Sequence, residues 1–346
     1  MIARSLLLAA TLCGLLLAPA IAFAQTTSSQ AASPVEVQKI WEAGNHNAFT
    51  DLLFHQNEWF CVFREGKAHV SPDGALRVLT SPDGEKWTSA ALVTLPEIDL
   101  RDAKISVTPQ GKLMLCGAGV TQPPVEKTHQ SYVWFSDDGR TWSEPTPIGD
   151  KNFWIWRITW HQGVAYGVGY YTGADRSPSE SRQVRLYKSD DGKAFETLVS
   201  NLGPTGFPNE ASLLFVDDDS ALCVLRFDPV QGGKDAFAAL GKATAPYTDW
   251  KWESLGVQIG GPQVLKLEDG RLVVAGRSYP GGAKTKLWFL DPAQNKLTEF
   301  AALPSGGDTS YPGLVQRGDQ LWVSYYSSHE GKTCVYLAQV KLPEAK

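Results

Sequence analysis

The chain has 346 residues and carries 32 Lys and Arg against 37 Asp and Glu, a formal net charge of −5. A nucleic-acid-binding domain needs a basic footprint, and none is present, so that class is set aside. Twelve Trp, 32 Gly and 21 Pro in this length suit two ordinary domains or one large, turn-rich all-β domain.

Residues 1–24 open with Arg4, continue as a leucine- and alanine-rich core and end on Ala22-Phe23-Ala24 before Gln25. That is the pattern of a secretory signal peptide with a small-x-small cleavage site, which predicts export to the periplasm or beyond. Cys13 follows Leu12 rather than a small residue, so lipoprotein processing is not expected. Loss of Arg4 with the leader takes the formal charge from −5 to −6. No later run is long and apolar enough to span a bilayer. Residues 25–34, QTTSSQAASP, read as a disordered lead-in, which leaves 35–346 as the folded domain.

Repetition decides the architecture. SPDGEKW (Ser81 to Trp87), SDDGRTW (Ser136 to Trp142) and SDDGKAF (Ser189 to Phe195) are three copies of one turn, their aromatic ends 55 and 53 residues apart. The rhythm continues to Trp250 and Phe300, after further steps of 55 and 50. A period near fifty, filled with short apolar or alternating runs and Gly/Asp turns, predicts four-stranded blades of a β-propeller. In each turn the Ser and Asp side chains can hold the turn's own amides, while Gly takes the positive φ.

Six innermost strands are predicted to begin near His46, Arg101-Asp102, Trp156-Arg157, Asn209-Glu210, Gly261-Pro262 and Ser310-Tyr311. The segment Val35 to Trp41 has no blade of its own and is expected to supply the outer strand that the last blade lacks. In an antiparallel blade, the start of the first strand, the end of the second and the following loop share one end. That geometry sends Glu210, Tyr311, Arg64, Arg226, Arg277 and Asp73 to one mouth. Arginines at equivalent places around an axis suit an anion clamp. A single tyrosine or a strand-end arginine is more often a packing or rim residue, so the functional reading rests on their convergence.

The repeated turns resemble the Asp-box. NEASLLF, followed by Arg226 sixteen residues after Glu210, then GRSY and DTSYPGL, resemble the sialidase superfamily over essentially the whole mature chain. The resemblance implies an exported, exo-acting, retaining glycosidase that needs no cofactor. Its nucleophilic pair would be Tyr311 and Glu210, its acid and base Asp73 and its carboxylate-binding arginines Arg226 and Arg277. The family's first arginine stands in an F/Y-R-I-P motif, where this chain has Asn47 and Ala48, leaving Arg64, Arg101 or Arg157 as substitutes.

The chemistry follows from charge. Tyrosine is a poor nucleophile near its ordinary pKa of about 10 and needs a base such as Glu210. Its neutrality suits an anomeric carbon that bears a carboxylate, as in sialic acid. His69 is the alternative acid to Asp73. Asp102 and Asp51 are candidates for tuning that acid or binding hydroxyls, and Trp154 or Trp156 for stacking on a sugar face. The six histidines, scattered along the chain, show no metal spacing, and the four cysteines after the leader lack zinc spacing, their pairing open. A glycan is the expected partner and a monomer the expected state. The alternatives are a non-catalytic glycan-binding propeller and a glycosidase or polysaccharide lyase directed at uronic acids.

Overall fold

The computed structural model describes residues 1, 34–121, 125–173, 181–229 and 236–344. Apart from Met1, the leader lies outside them, as does the lead-in up to residue 33. Contacts divide the chain into Met1–Ala31 and Ala32–Lys346, and the second unit is the propeller.

Among the described residues the fold is all-β, with six sheets of four antiparallel strands. The first strands of the six blades are His46–His55, Ile98–Val107, Phe153–His161, Pro208–Phe215, Ile259–Lys266 and Thr309–Arg317. Each packs beside the next, and the sixth packs beside the first, so these strands line the axis of the ring. In blade 6 the outermost position, next to Cys334–Lys341, is held by Val35–Trp41 in antiparallel register, Val35 opposite Val340.

The predicted turns fold as their chemistry requires. In the first, Ser81 Oγ accepts the Gly84 amide at 2.8 Å, and Asp83 Oδ1 accepts the amides of Glu85 and Lys86 at 2.8 and 2.9 Å. Gly84 sits at φ 79°, and the Trp87 indole donates to the Gly84 carbonyl at 3.0 Å. Ser136-Asp138-Gly139 and Ser189-Asp191-Gly192 repeat the arrangement. Between the blades, apolar side chains from facing sheets form a chain of cores; Phe60, Val62, Leu76 and Leu115, for example, fill the seam between blades 1 and 2.

Every first strand also carries a bulge at the same height, where two residues oppose one. The bulged pairs are Phe49-Thr50, Asp102-Ala103, Trp156-Arg157, Asn209-Glu210, Gly261-Pro262 and Tyr311-Pro312. In four of them the first residue is left-handed: Phe49 at φ 63°, Asp102 at 55°, Gly261 at 57° and Tyr311 at 53°. Non-glycine residues rarely adopt that conformation, and bulges of this kind re-aim side chains next to functional sites. The strands begin one to three residues before most of the sequence-predicted starts, because sequence pattern alone read the bulge as the strand's beginning.

Candidate active site

The bulges bring chemistry-bearing residues of blades 4, 5 and 6 together. Glu210 stands opposite Arg226 in the blade 4 bulge. Its Oε1 accepts the Tyr311 hydroxyl at 2.6 Å and Arg226 Nη1 at 2.8 Å, while its Oε2 accepts Arg226 Nη1 at 2.7 Å and the Gly261 amide at 2.8 Å. Arg226 Nη1 also donates to the Tyr311 oxygen at 3.0 Å. Tyr311 and Glu210 are separated by 101 residues in the chain and joined by a hydrogen bond in space.

Burial drives the Tyr311 hydroxyl well above its usual pKa, and the Glu210 charge pushes the same way. Arg226 and Arg277 oppose this, the latter with its guanidinium carbon 5.1 Å from the Tyr311 ring centroid. The phenol is therefore protonated at rest and becomes an oxyanion only by handing its proton to a neighbour. Glu210 is the one placed to take it.

Arg277 donates through Nε to the Thr309 carbonyl at 2.7 Å, and through Nη2 to the Tyr326 hydroxyl at 2.7 Å and Asp308 Oδ1 at 3.2 Å. Asp308 is the hub of this side. Tyr326 donates to its Oδ1 at 2.8 Å, and His46 Nε2 and His69 Nδ1 lie 3.1 and 2.6 Å from its Oδ2. Burial raises its pKa, but the hydrogen bonds from His46 and His69 outweigh that and hold the carboxyl well below the carboxylate range. These three side chains, with ligand atoms within 4.8 Å of one another, are also a group that can hold a metal ion. An aromatic wall closes the site: Phe49 and Trp156 meet the Tyr311 ring edge-on at 5.1 and 5.3 Å.

Not every expected residue joins this cluster. Arg64 is fully buried, and its guanidinium is spent within blades 1 and 2, on Asp99, the carbonyls of Ala68 and Ser71 and the Ser71 hydroxyl. It anchors its own loop and has no face to offer a ligand, which corrects its expected place in an anion clamp. Arg101 takes the second oxygen of the same buried Asp99, at 2.7 and 2.8 Å. Arg157 pairs with buried Asp51 at 2.8 Å, and Asp51 also accepts the Ile105 amide, so both are committed to joining blades. Arg101 is spent on Asp99, whereas Arg157 keeps a buried Nε with no hydrogen-bond partner among the described residues beside its Nη1 bond to Asp51.

Asp73 is exposed in the loop after the second strand of blade 1 and accepts the Lys67 amide at 3.3 Å. Partial burial pulls its pKa up, but the Ser71 hydroxyl and the Lys67 amide outweigh it, so the carboxyl lies below its usual range, unsuited to a resting proton donor. Asp102 has the opposite character. It is buried beside Lys104, burial pushes its pKa up to about 7, Lys104 opposes and the Glu210 charge adds to the rise; its Oδ1 has no hydrogen-bond partner among the described residues. Trp156 packs on Tyr311 and beneath the Lys104 ammonium, 4.8 Å from its ring centroid. Trp154 stacks on Tyr170 at 6.1 Å. His69 is half-exposed and bonded to Asp308.

Sequence reading missed Asp308, Tyr326, Asp228, Arg182 and His46. Asp228 accepts Arg226 Nη2 at 2.9 Å, Arg182 Nη1 at 2.9 Å and the Asn209 side-chain Nδ2 at 2.6 Å. A signal existed for it: Asp228 stands two residues beyond Arg226, one past the strand's end at Phe227, where period-two alternation still points to the same face. Asp308 stands three residues before Tyr311 in the quoted DTSYPGL stretch, but its partners come from blades 1, 5 and 6. Arg182 lies in a loop with no pattern. The four cysteines of the propeller, Cys61, Cys116, Cys223 and Cys334, are buried free thiols, which settles the pairing left open.

The fold and this cluster define a six-bladed propeller with a tyrosine, a glutamate and two arginines converging at its axis. No family model matches the chain, and no curated protein matches it. Solved structures do. A protein of unknown function from Dyadobacter fermentans aligns over 89% of this chain and 99% of its own, at 19% identity and a TM-score of 0.78. An α-L-arabinanase of Penicillium chrysogenum, solved with arabinobiose, aligns over 90% of this chain and 99% of its own, at 15% identity and a TM-score of 0.71. The sialidase of Trypanosoma rangeli, solved with the inhibitor DANA, aligns over 89% of this chain but 60% of its own, at 11% identity and a TM-score of 0.68. The sialidase-like propeller expected from the sequence is thus the fold observed.

Proposed function

We propose that this protein is an exported retaining glycosidase that releases a terminal sugar. The observation that carries the reading is the 2.6 Å hydrogen bond from Tyr311 to Glu210, braced by Arg226 and the Gly261 amide. Glu210 takes the phenol proton as the Tyr311 oxygen attacks the anomeric carbon, and Arg226 steadies the charge passing between them. With four hydrogen bonds on its two oxygens, Glu210 is better held as a base than freed as a nucleophile.

For the proton donor to the departing oxygen, the burial of Asp102 and its pKa near 7 favour it over Asp73. It then activates water for the second displacement, which returns the original configuration. The likeness to sialidase and arabinanase structures, though distant, supports glycoside hydrolysis on this scaffold.

Two sugar classes are supported by different observations. A neutral nucleophile flanked by Arg226 and Arg277 suits an anionic sugar such as sialic acid. Against it, Asp228 and Asp308 already neutralise those arginines, which favours an uncharged ring such as an arabinofuranose. Incubating the protein with aryl sialosides, uronides and arabinofuranosides, beside Tyr311→Phe, separates the cases. Release abolished by Tyr311→Phe supports the mechanism, and the substrate cleaved fixes the class. Unsaturated products point to a lyase, and binding without turnover to a lectin-like propeller; either sinks the hydrolase reading.

A further inference from the structure

At the edge of the candidate active site, three side chains far apart in sequence meet at one atom. Asp308 Oδ2 lies 3.1 Å from His46 Nε2 and 2.6 Å from His69 Nδ1. His46 opens the first strand of blade 1, His69 stands in the loop following that blade's second strand, and Asp308 immediately precedes the first strand of blade 6. The two imidazoles meet edge-on, with centroids 5.4 Å apart and planes at 73°.

We propose that His46 Nε2, His69 Nδ1 and Asp308 Oδ2 form a binding site for a divalent transition-metal ion of the zinc class. Two imidazole nitrogens and one carboxylate oxygen are the donor set such ions choose. With metal–ligand bonds of about 2.0–2.2 Å in a tetrahedral shell, ligand atoms on one ion lie about 3.3–3.6 Å apart, so the 3.1 and 2.6 Å contacts must open and the imidazole nitrogens, within 4.8 Å of each other, must settle into that range, a shift that the half-exposed His69 ring can supply. The ion takes the place of the protons now shared between the rings and the carboxylate.

The surroundings resemble those of built metal sites in one further respect. The other carboxylate oxygen, Oδ1, is held by the Tyr326 hydroxyl at 2.8 Å and by Arg277 at 3.2 Å, which leaves Oδ2 turned towards the imidazoles. Hydrogen bonds of this kind fix the orientation of a ligating carboxylate. The Arg277 charge works against a second cation nearby, but it sits on the far oxygen. Three protein ligands leave further positions on the ion open. His69 is half-exposed and meets the Phe49 ring edge-on at 5.1 Å, and Phe49 in turn packs on Tyr311, so the ligand set stands one ring away from the candidate nucleophile.

The test is a titration of chelator-treated, full-length mature protein with Zn²⁺ by calorimetry, and with Co²⁺ by visible absorption, whose d–d bands report imidazole and carboxylate ligation. The proposal expects one ion per chain. His69→Ala should weaken binding beyond the roughly 10–100-fold that loss of an outer hydrogen bond costs, and Tyr326→Phe should fall within that range. His55→Ala, whose ring sits at a distant turn on the Gly111 carbonyl, should bind as the parent does. Melting curves confirm that each variant is folded, and His69, half-exposed, is the ligand whose removal disturbs packing least. Absence of binding by the folded parent, or binding unchanged in His69→Ala, overturns the proposal. Neither result depends on turnover, so the site stands or falls apart from the glycosidase reading.

Discussion

Gly261 lies flat against the ring of Tyr311: a Cβ at Gly261 would stand 2.7 Å from Tyr311 Cγ and 2.8 and 2.9 Å from its two Cδ atoms. At the same residue φ is 57°, and the amide holds Glu210 Oε2 at 2.8 Å. One glycine therefore sets both members of the pair, by leaving room for the phenol and by fixing the carboxylate that receives its proton.

Gly261→Ala is expected to keep the fold and lose activity. A left-handed alanine costs about 1–2 kcal/mol, and the clash moves the Tyr311 ring off Glu210. Displacement of a reacting group by ~1 Å costs on the order of 10²-fold in rate. The check is kcat/KM on the cleaved substrate beside a denaturant melt; full activity in the folded variant would show that Tyr311 need not sit where it does.

Tyr311→Phe removes one hydroxyl and leaves Glu210 its bonds to Arg226 and Gly261. Stability should change by about 1 kcal/mol, while turnover should fall on the order of 10⁴-fold. Glu210→Gln should lose a similar factor, and the double variant little more, because the two act as a unit. Additive losses in steady-state kinetics would refute the shared proton.

The fold was legible because its signal is repeated and local: each Ser-x-Asp-Gly turn satisfies itself within a few residues, so spacing alone counts the blades. Glu210, Arg226, Arg277 and Tyr311 were legible as residues that converge, since strand ends are placed by topology. Arg64 was misread for the complementary reason. Its strand-end position matches that of Arg277, each opposite the residue before its blade's bulge, but whether a guanidinium turns to the mouth or inward depends on Asp99, 35 residues away on the next blade. The bulges were invisible too, since skipping two residues leaves the apolar pattern readable as a strand that starts late. Asp308 gathers partners from three blades, and no local pattern reports that.

Asp99 joins two arginines: Oδ1 takes Arg64 and Oδ2 takes Arg101, with the Asp99 side chain fully buried. Asp99→Asn would leave the buried Arg64 charge without its counter-ion. Breaking one side of a buried pair costs about 3–5 kcal/mol. Denaturant unfolding of the variant should show a loss of that size, and the loop carrying His69 and Asp73 should become more open to protease because Arg64 no longer pins it through Ala68 and Ser71. An unchanged midpoint would mean that the loop is held by something else.

As the proposed proton donor, Asp102 would tie the reaction and the stability to one proton. Burial lifts its folded-state pKa to about 7, against an ordinary value near 3.8. The protonated donor is the active form, so kcat/KM should fall as pH rises through about 7. Asp102→Asn should lose about 10²–10⁴-fold, while Asp73→Asn retains activity. The sign for stability follows from the same shift: a carboxyl that holds its proton more tightly when folded stabilises fully below about pH 4, and that contribution is gone once pH has risen through 7. The parent's unfolding free energy should therefore decline between pH 5 and 8 relative to that of Asp102→Asn, by on the order of 1–3 kcal/mol. Parallel curves for the two proteins across that window would mean that Asp102 is ionised throughout and cannot be the donor.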